Sequence, residues 1–314
     1  MLFRSPSAIT YGASTPANSF STAGMAANDV ISTVTYTYAG TGSTTYAAST
    51  TAPTAPGTYS ITPSAPVFTT GSIDNYNTVT YTAGSFTINA ANLVITANSP
   101  SAITYGDSTP SNGYSTTGLN AADTITGITY TYAGTGSTVY AASTTAPTAA
   151  GTYSITPSAV TFSDTNAAGR YTSISYTAGS FTINKKALTV SPSNTNVTYG
   201  TASPTFTPTV TGFIAGQSAS NAAGYSAPTC SSSGYSATNA ATTTSTISCS
   251  GGSATNYTFT TTATATATVT QATLTILAEA KSVLYGDVAP TYTFAISGFV
   301  NSQDRKSTRL NSSH

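Results

Sequence analysis

Ser5-Pro6-Ser7-Ala8-Ile9-Thr10-Tyr11-Gly12 recurs, residue for residue, at Ser99-Pro100-Ser101-Ala102-Ile103-Thr104-Tyr105-Gly106. Shorter copies stand at Asn196-Val197-Thr198-Tyr199-Gly200 and at Val283-Leu284-Tyr285-Gly286-Asp287. The four tyrosines fall 94, 94 and 86 residues apart. Working outward from them, other strings return at the same offset, TYTYAGTGST of 35–44 at 129–138 and GTYSITPS of 57–64 at 151–158, and YTAGSFTIN of 81–89 returns one residue later, at 176–184. A fixed long period marks an array of like units. The expected repeats are 1–91, 92–186, 187–272 and 273–314. The first two are near-copies, and the later two keep the skeleton. Repeat 1 starts after its own opening strand should have, and repeat 4 stops after Phe299. The chain is therefore expected to be a piece of a longer array.

Within repeat 2 the pattern has period two. Ile128, Tyr130 and Tyr132 alternate with Thr129 and Thr131, and Phe181 and Ile183 alternate with Ser180, Thr182 and Asn184. β-branched and aromatic residues in alternation read as half-buried strands. Glycine-bearing turns separate them, at Tyr105-Gly106-Asp107, Ala133-Gly134-Thr135-Gly136 and Thr177-Ala178-Gly179. Two stretches read differently. Gly118–Asp123, like its counterpart Gly24–Asp29, is Ala-rich and suits one helical turn. Thr261–Thr270 alternates Thr with Ala and Val and reads as one long, flat strand. The fold class is mainly β: tandem modules of about 86–95 residues, each β-grasp-like, with an immunoglobulin-like sandwich as the alternative. The antibody form of that sandwich wants a Trp and widely spaced cysteines; the chain has no Trp, and Cys230 and Cys249 stand close together.

Composition removes most chemistry. Charged residues are 5% of the 314, against about a quarter in ordinary soluble proteins. Eight basic residues balance eight acidic ones, so no field draws in nucleic acid or an anionic membrane. The ends carry several of these charges. Asp304–His314 resembles the in-frame translation of a common sequencing adapter, and Met1–Ser5 resembles its opposite-side partner. Neither end is expected to contribute to folding, and no targeting segment can be read from Met1. Between them the balance is −3: Arg170, Lys185, Lys186 and Lys281 against Asp29, Asp74, Asp107, Asp123, Asp164, Glu279 and Asp287.

That interior has no His, no base to activate its many serines, no phosphate-cradling loop and no zinc-ligand set. The reading is no enzyme, no cofactor and no metal site. Asp74, Asp107, Asp164 and Asp287 sit in loops as hard oxygen donors, but each loop offers one carboxylate, which suits turn capping better than calcium. Tyr130, Tyr132, Tyr153 and Tyr176 lie in strand alternation and are assigned to the core rather than to stacking on sugars.

The repeated Tyr-Gly-x turn, the central Gly-Thr-Tyr-Ser-Ile-Thr and the closing Asn-Tyr…Phe-Thr-Ile resemble the MBG domains, YGX type, of bacterial surface proteins. Repeat 3 is similar through Thr198-Tyr199-Gly200, Gly212-Phe213 and Cys249–Phe259. The resemblance implies a secreted or cell-surface, adhesin-like protein whose array is a stalk or spacer. The alternative is that the modules themselves bind surface glycans or proteins of a host or neighbouring cell. No nucleic acid, membrane span or obligate oligomer is expected. The signature turns Tyr11-Gly12, Tyr105-Gly106, Tyr199-Gly200 and Tyr285-Gly286 carry no catalytic role. Cys230 and Cys249, a lone pair in one repeat of an exported chain, are expected to form a disulfide. The junctions at Asn89–Asn92 and Asn184–Lys186 are short and polar, so each repeat is expected to close its own core.

Overall fold

The computed structural model describes residues 2–303 other than Thr262. It is mainly β, with 45% of residues in strands and 2% in helix. The chain divides into two compact units. One holds the residues up to Ser101 together with Thr109–Pro147 and Thr152–Thr182; the other holds Ala102–Ser108, Thr148–Gly151 and the chain from Ile183.

In the first unit, repeat 1 forms a four-stranded sheet in the order Ile9–Thr10, Gly84–Asn89, Gly57–Thr70, Val30–Gly40. Alternation dictates its buried face. In Gly57–Thr70 the side chains of Tyr59 and Ile61 point inward, and in Gly84–Asn89 those of Phe86 and Ile88 do. With Tyr38 they make one core cluster. Repeat 2 repeats the hairpin, Ile125–Gly134 against Gly151–Phe162, with Tyr132 opposite Ile155. Its opening strand, Ala91–Ala97, alternates buried and less buried residues without a break. That strand pairs parallel with Tyr171–Thr177 on one edge and antiparallel with Tyr114–Thr117 on the other. Leu93 and Ile95 are wholly buried there, each a burial worth about 1.5–3 kcal/mol.

In the second unit, Lys186–Pro192 plays the same part, antiparallel to Pro208–Thr211 and parallel to Tyr257–Thr261. A second sheet runs Thr195–Thr198, Ala265–Thr270, Thr244–Ser250, Thr229–Ser232. Ile183–Asn184 pairs parallel with Ile103–Thr104. Thr275–Ala278 and Phe294–Ser297 form a hairpin whose Leu274, Ile276 and Leu277 are exposed.

Three sequence expectations are corrected. Gly118–Asp123 is a turn closed by the Asp123 N–H donating to the Asn120 carbonyl at 3.0 Å, not a helical turn. The positive φ of Gly118, +83°, takes the chain out of helical geometry before it can start. The Thr261–Thr270 alternation is not one strand. Tyr257–Thr261 and Ala265–Thr270 belong to different sheets, because period two reports which face a residue takes and not which sheet the strand joins. Leu2–Arg4 does take part in the fold, pairing with Ser19–Ser21, and the Ser85 N–H donates to Ser5 Oγ at 2.9 Å. The tail 304–314 lies outside the described residues.

Candidate functional site

Three of the four Tyr-Gly turns are built by their own repeat and received by the next one. The first lies wholly in the first unit. Ile9–Thr10 pairs with Ile88–Asn89, and the Tyr11 N–H donates to the Asn89 carbonyl at 2.8 Å, which fixes where the ring leaves the strand. Gly12 then turns the chain at φ +90°. A Cβ at Gly12 would stand 2.6 Å from the Asn120 amide nitrogen, so the glycine also lets the turn close on repeat 2.

The receiving seat is the turn Gly118–Asp123. Asp123 is 5% exposed, and its carboxylate is shared. Tyr171 donates its hydroxyl to Oδ2 at 2.6 Å and Tyr11 donates to the same oxygen at 3.1 Å. Arg170 pairs with Oδ1 and, through its other nitrogen, with Asp164. The rings of Tyr11 and Tyr171 meet edge to face at 6.0 Å, and the Arg170 guanidinium lies 5.9 Å from the centre of the Tyr11 ring. A buried carboxylate persists only when paired and hydrogen-bonded, and here every neighbour supplies a donor. Burial, followed by the hydrogen bond to Asp123, pushes the Tyr171 hydroxyl up to about 12. The same two causes raise that of Tyr11. The Asn166 backbone N–H, and then Arg170, hold Asp164 below its ordinary value against some desolvation.

The second unit contains the same device twice, with a neutral residue in place of the carboxylate. Tyr105 is 8% exposed; its N–H donates to the Asn184 carbonyl and its ring meets Tyr257 edge to face at 5.3 Å. Gln217 bridges the two hydroxyls, donating through Nε2 to Tyr105 at 2.9 Å and accepting from Tyr257 at Oε1. A Cβ at Gly106 would stand 2.5 Å from Ile214 Cγ2. Farther on, Gln303 donates to the Tyr199 hydroxyl at 2.6 Å, and a Cβ at Gly200 would meet the Val300 side chain at 2.5 Å. Tyr285-Gly286 has no such partner among the described residues: the tyrosine is fully exposed and nothing lies within 4 Å of a Cβ at Gly286.

The turns singled out in the sequence are thus three halves of three contacts, and reading the sequence missed the other halves. A signal was present. Asp29, Asp123, Gln217 and Gln303 each follow the repeat's own Tyr-Gly tyrosine by 18 residues. Nothing in that spacing says that the partner tyrosine comes from the preceding repeat.

The arrangement holds a turn of one repeat against the next through hydrogen bonds among hydroxyls, a guanidinium and a carboxylate or amide. The loop carboxylates cap their own turns. Asp107 and Asp287 accept from the N–H three residues earlier, and Asp164 from that of Asn166. Cys230 and Cys249 stand opposite each other on adjacent antiparallel strands, joined through sulfur with their Cα atoms 4.0 Å apart.

Fold and site together define a tandem β-repeat protein in which a turn of one repeat rests on the next. Residues 93–182 and 188–268 each match the family model described as MBG domain (YGX type), more than half of the chain, and the chain belongs to that family. The family is one of typically non-catalytic β modules associated with surface proteins. No curated protein matches the chain. Among the described residues no helix is long and apolar enough to cross a membrane.

Proposed function

We propose that the chain is a non-catalytic spacer region of a bacterial secreted or cell-surface, adhesin-like protein, holding another part of that protein away from its anchor. The observation that supports this reading is the seat itself. The most buried polar constellation in the first unit, Asp123 with Tyr11, Tyr171 and Arg170, is spent on joining repeat 1 to repeat 2. Gln217 and Gln303 serve the same purpose for later turns. A protein that places its buried carboxylate at such a joint, repeats the joint with Gln217 and Gln303, and turns loop carboxylates such as Asp107 and Asp287 onto their own backbone is organised for connection.

Two measurements test the proposal. On a glycan array, and in a pull-down against surface extracts, the full chain gives no signal above background. Specific, saturable binding would instead make the repeats the recognition element. In small-angle scattering a spacer of three repeats set end to end gives a radius of gyration near 30 Å, where one globule of this length gives about 19 Å. A monomer at the lower value would end the spacer reading.

A further inference from the structure

The loop that joins the two long strands of repeat 1, residues 41–56, reads TGSTTYAASTTAPTAP. A connection this long without secondary structure is uncommon in a compact module, and is usually either functional or disordered. This one is held down at several points. Ser49 exchanges backbone hydrogen bonds with Tyr38 on the neighbouring strand, at 2.7 and 2.9 Å. The Tyr46 hydroxyl donates to the Thr51 carbonyl at 2.8 Å, and its ring meets Tyr59 edge to face at 5.7 Å. Pro53 is wholly buried. Such anchors leave function as the reason for the loop's length.

Its hydroxyls divide into two sets. Those of Thr41, Thr44 and Thr58 bond to one another and to the backbone that closes the loop. Thr50 and Thr51 are exposed, and among the described residues neither hydroxyl has a hydrogen-bond partner. Thr51 is held through its backbone alone, its N–H donating to Ser49 Oγ and its carbonyl accepting from Tyr46. Repeat 2 copies both sets. Thr135, Thr138 and Thr152 are bonded together, while Thr144 and Thr145 are exposed, the second held by Ser143 and Tyr140. Repeat 3 differs. It joins the corresponding strands, Thr229–Ser232 and Thr244–Ser250, through 233–243, which has no proline and pairs Ser236 Oγ with Thr238 Oγ1 at 2.9 Å.

A hydroxyl with no base beside it is a weak nucleophile, and becomes an acceptor when an enzyme brings the base. We infer that Thr50 and Thr51, and with them Thr144 and Thr145, are acceptors for O-linked sugar. Ser/Thr runs broken by Pro are the composition of O-glycosylated stalks. No charged residue lies between Asp29 and Asp74, or between Asp123 and Asp164. A kinase that reads flanking charge therefore finds nothing there, whereas a transferase that reads Thr and Pro does. In the transfer, the threonine Oγ attacks the anomeric carbon of a glycosyl diphosphate carried on a nucleoside or a lipid. The bond from that carbon to the diphosphate oxygen breaks, the diphosphate leaves, and the hydroxyl proton passes to the transferase's base. The sugar hydrates a chain that has only 5% charged residues and no net charge.

The test offers the full chain two donors. One is UDP-N-acetylgalactosamine with a soluble threonine-directed transferase; the other is a lipid-linked oligosaccharide with membranes that hold an O-oligosaccharyltransferase. Fragmentation mass spectrometry should place sugar on Thr50, Thr51, Thr144 and Thr145 from one donor or both, which also separates the two carriers. Transfer there should run about tenfold or more faster than to the exposed Thr244 and Thr246, which must leave a sheet to enter an enzyme cleft. Thr50→Val with Thr51→Val should abolish the sugar on repeat 1 and keep that on repeat 2, with the melting temperature of the unmodified chain unchanged. Absence of transfer from both donors, equal rates on loop and strand, or sugar confined to 233–243 would overturn the inference. So would phosphate on these threonines, from ATP and a broad-specificity threonine kinase, where neither sugar donor labels them.

Discussion

Asp123 is the carboxylate that folding takes out of water, and two tyrosines and an arginine make that possible. Tyr171 records the cost in its own titration. Its hydroxyl ionises near pH 12 folded and near 10 unfolded, so the folded state holds the proton more tightly. The stabilisation is then complete below about pH 10 and is lost as pH climbs through about 12, a loss of about 3 kcal/mol. Denaturant unfolding at stepped pH should show this decline. Tyr171→Phe should flatten it, although the other raised tyrosines, Tyr36, Tyr59 and Tyr153 among them, leave part of the slope in place. An unchanged slope in the variant would mean that Tyr171 is not held as described. A second residue comparison isolates the seat from backbone strain. Gly106 and Gly286 have φ of +96° and +93°, so Ala costs each about 1–2 kcal/mol through conformation alone. Only at position 106 does the new Cβ also strike Ile214. Gly106→Ala should therefore destabilise by about 1–3 kcal/mol more than Gly286→Ala, read from denaturation midpoints. Equal effects would show that the turn does not press on its seat.

At the scale of strands and turns, the legible part of the sequence was whatever a local period could carry. Phe181 and Ile183 in Gly179–Asn184, and Tyr132 in Ile125–Gly134, announced their buried face because branched and aromatic residues stand there at every second position. Gly118–Asp123 misled because Ala and Leu favour helix while the glycine in front of them imposes a turn. Thr261–Thr270 misled because nothing in an unbroken alternation marks the point at which the chain leaves one sheet for another. The seats were illegible for a different reason. Tyr11 and Asp123 lie 112 residues apart, and a hydrogen bond over that distance leaves no periodic trace. The cysteines belong to this scale too. Cys230 faces Cys249 across a hairpin at a sequence separation of 19, and a bridge closing such a loop contributes about 3 kcal/mol in the chain-entropy account. Thiol titration of the unfolded, unreduced chain from an oxidising compartment should find no free thiol, and reduction should lower the stability of the second unit by that amount. Two free thiols per chain would refute the bridge.

At the scale of the whole molecule, repeats 1 and 2 are tied turn to seat rather than closing as independent bodies. Short polar junctions suggested independence, yet Tyr11 of repeat 1 packs against the buried cluster of Leu93, Ile95 and Tyr171 in repeat 2. The most direct test is a double-mutant cycle on Tyr11→Phe and Asp123→Ala in the full chain, followed by denaturant unfolding. Asp123→Ala alone should cost about 3 kcal/mol, the low end for breaking a buried pair, because Arg170 keeps 24% of its side chain exposed. If the Tyr-Gly turn is anchored by that carboxylate, the double variant should fall short of the summed single effects by about 1 kcal/mol or more. Single effects that add to within about 0.3 kcal/mol would contradict the account, because repeats 1 and 2 would then be stable without regard to each other at this joint.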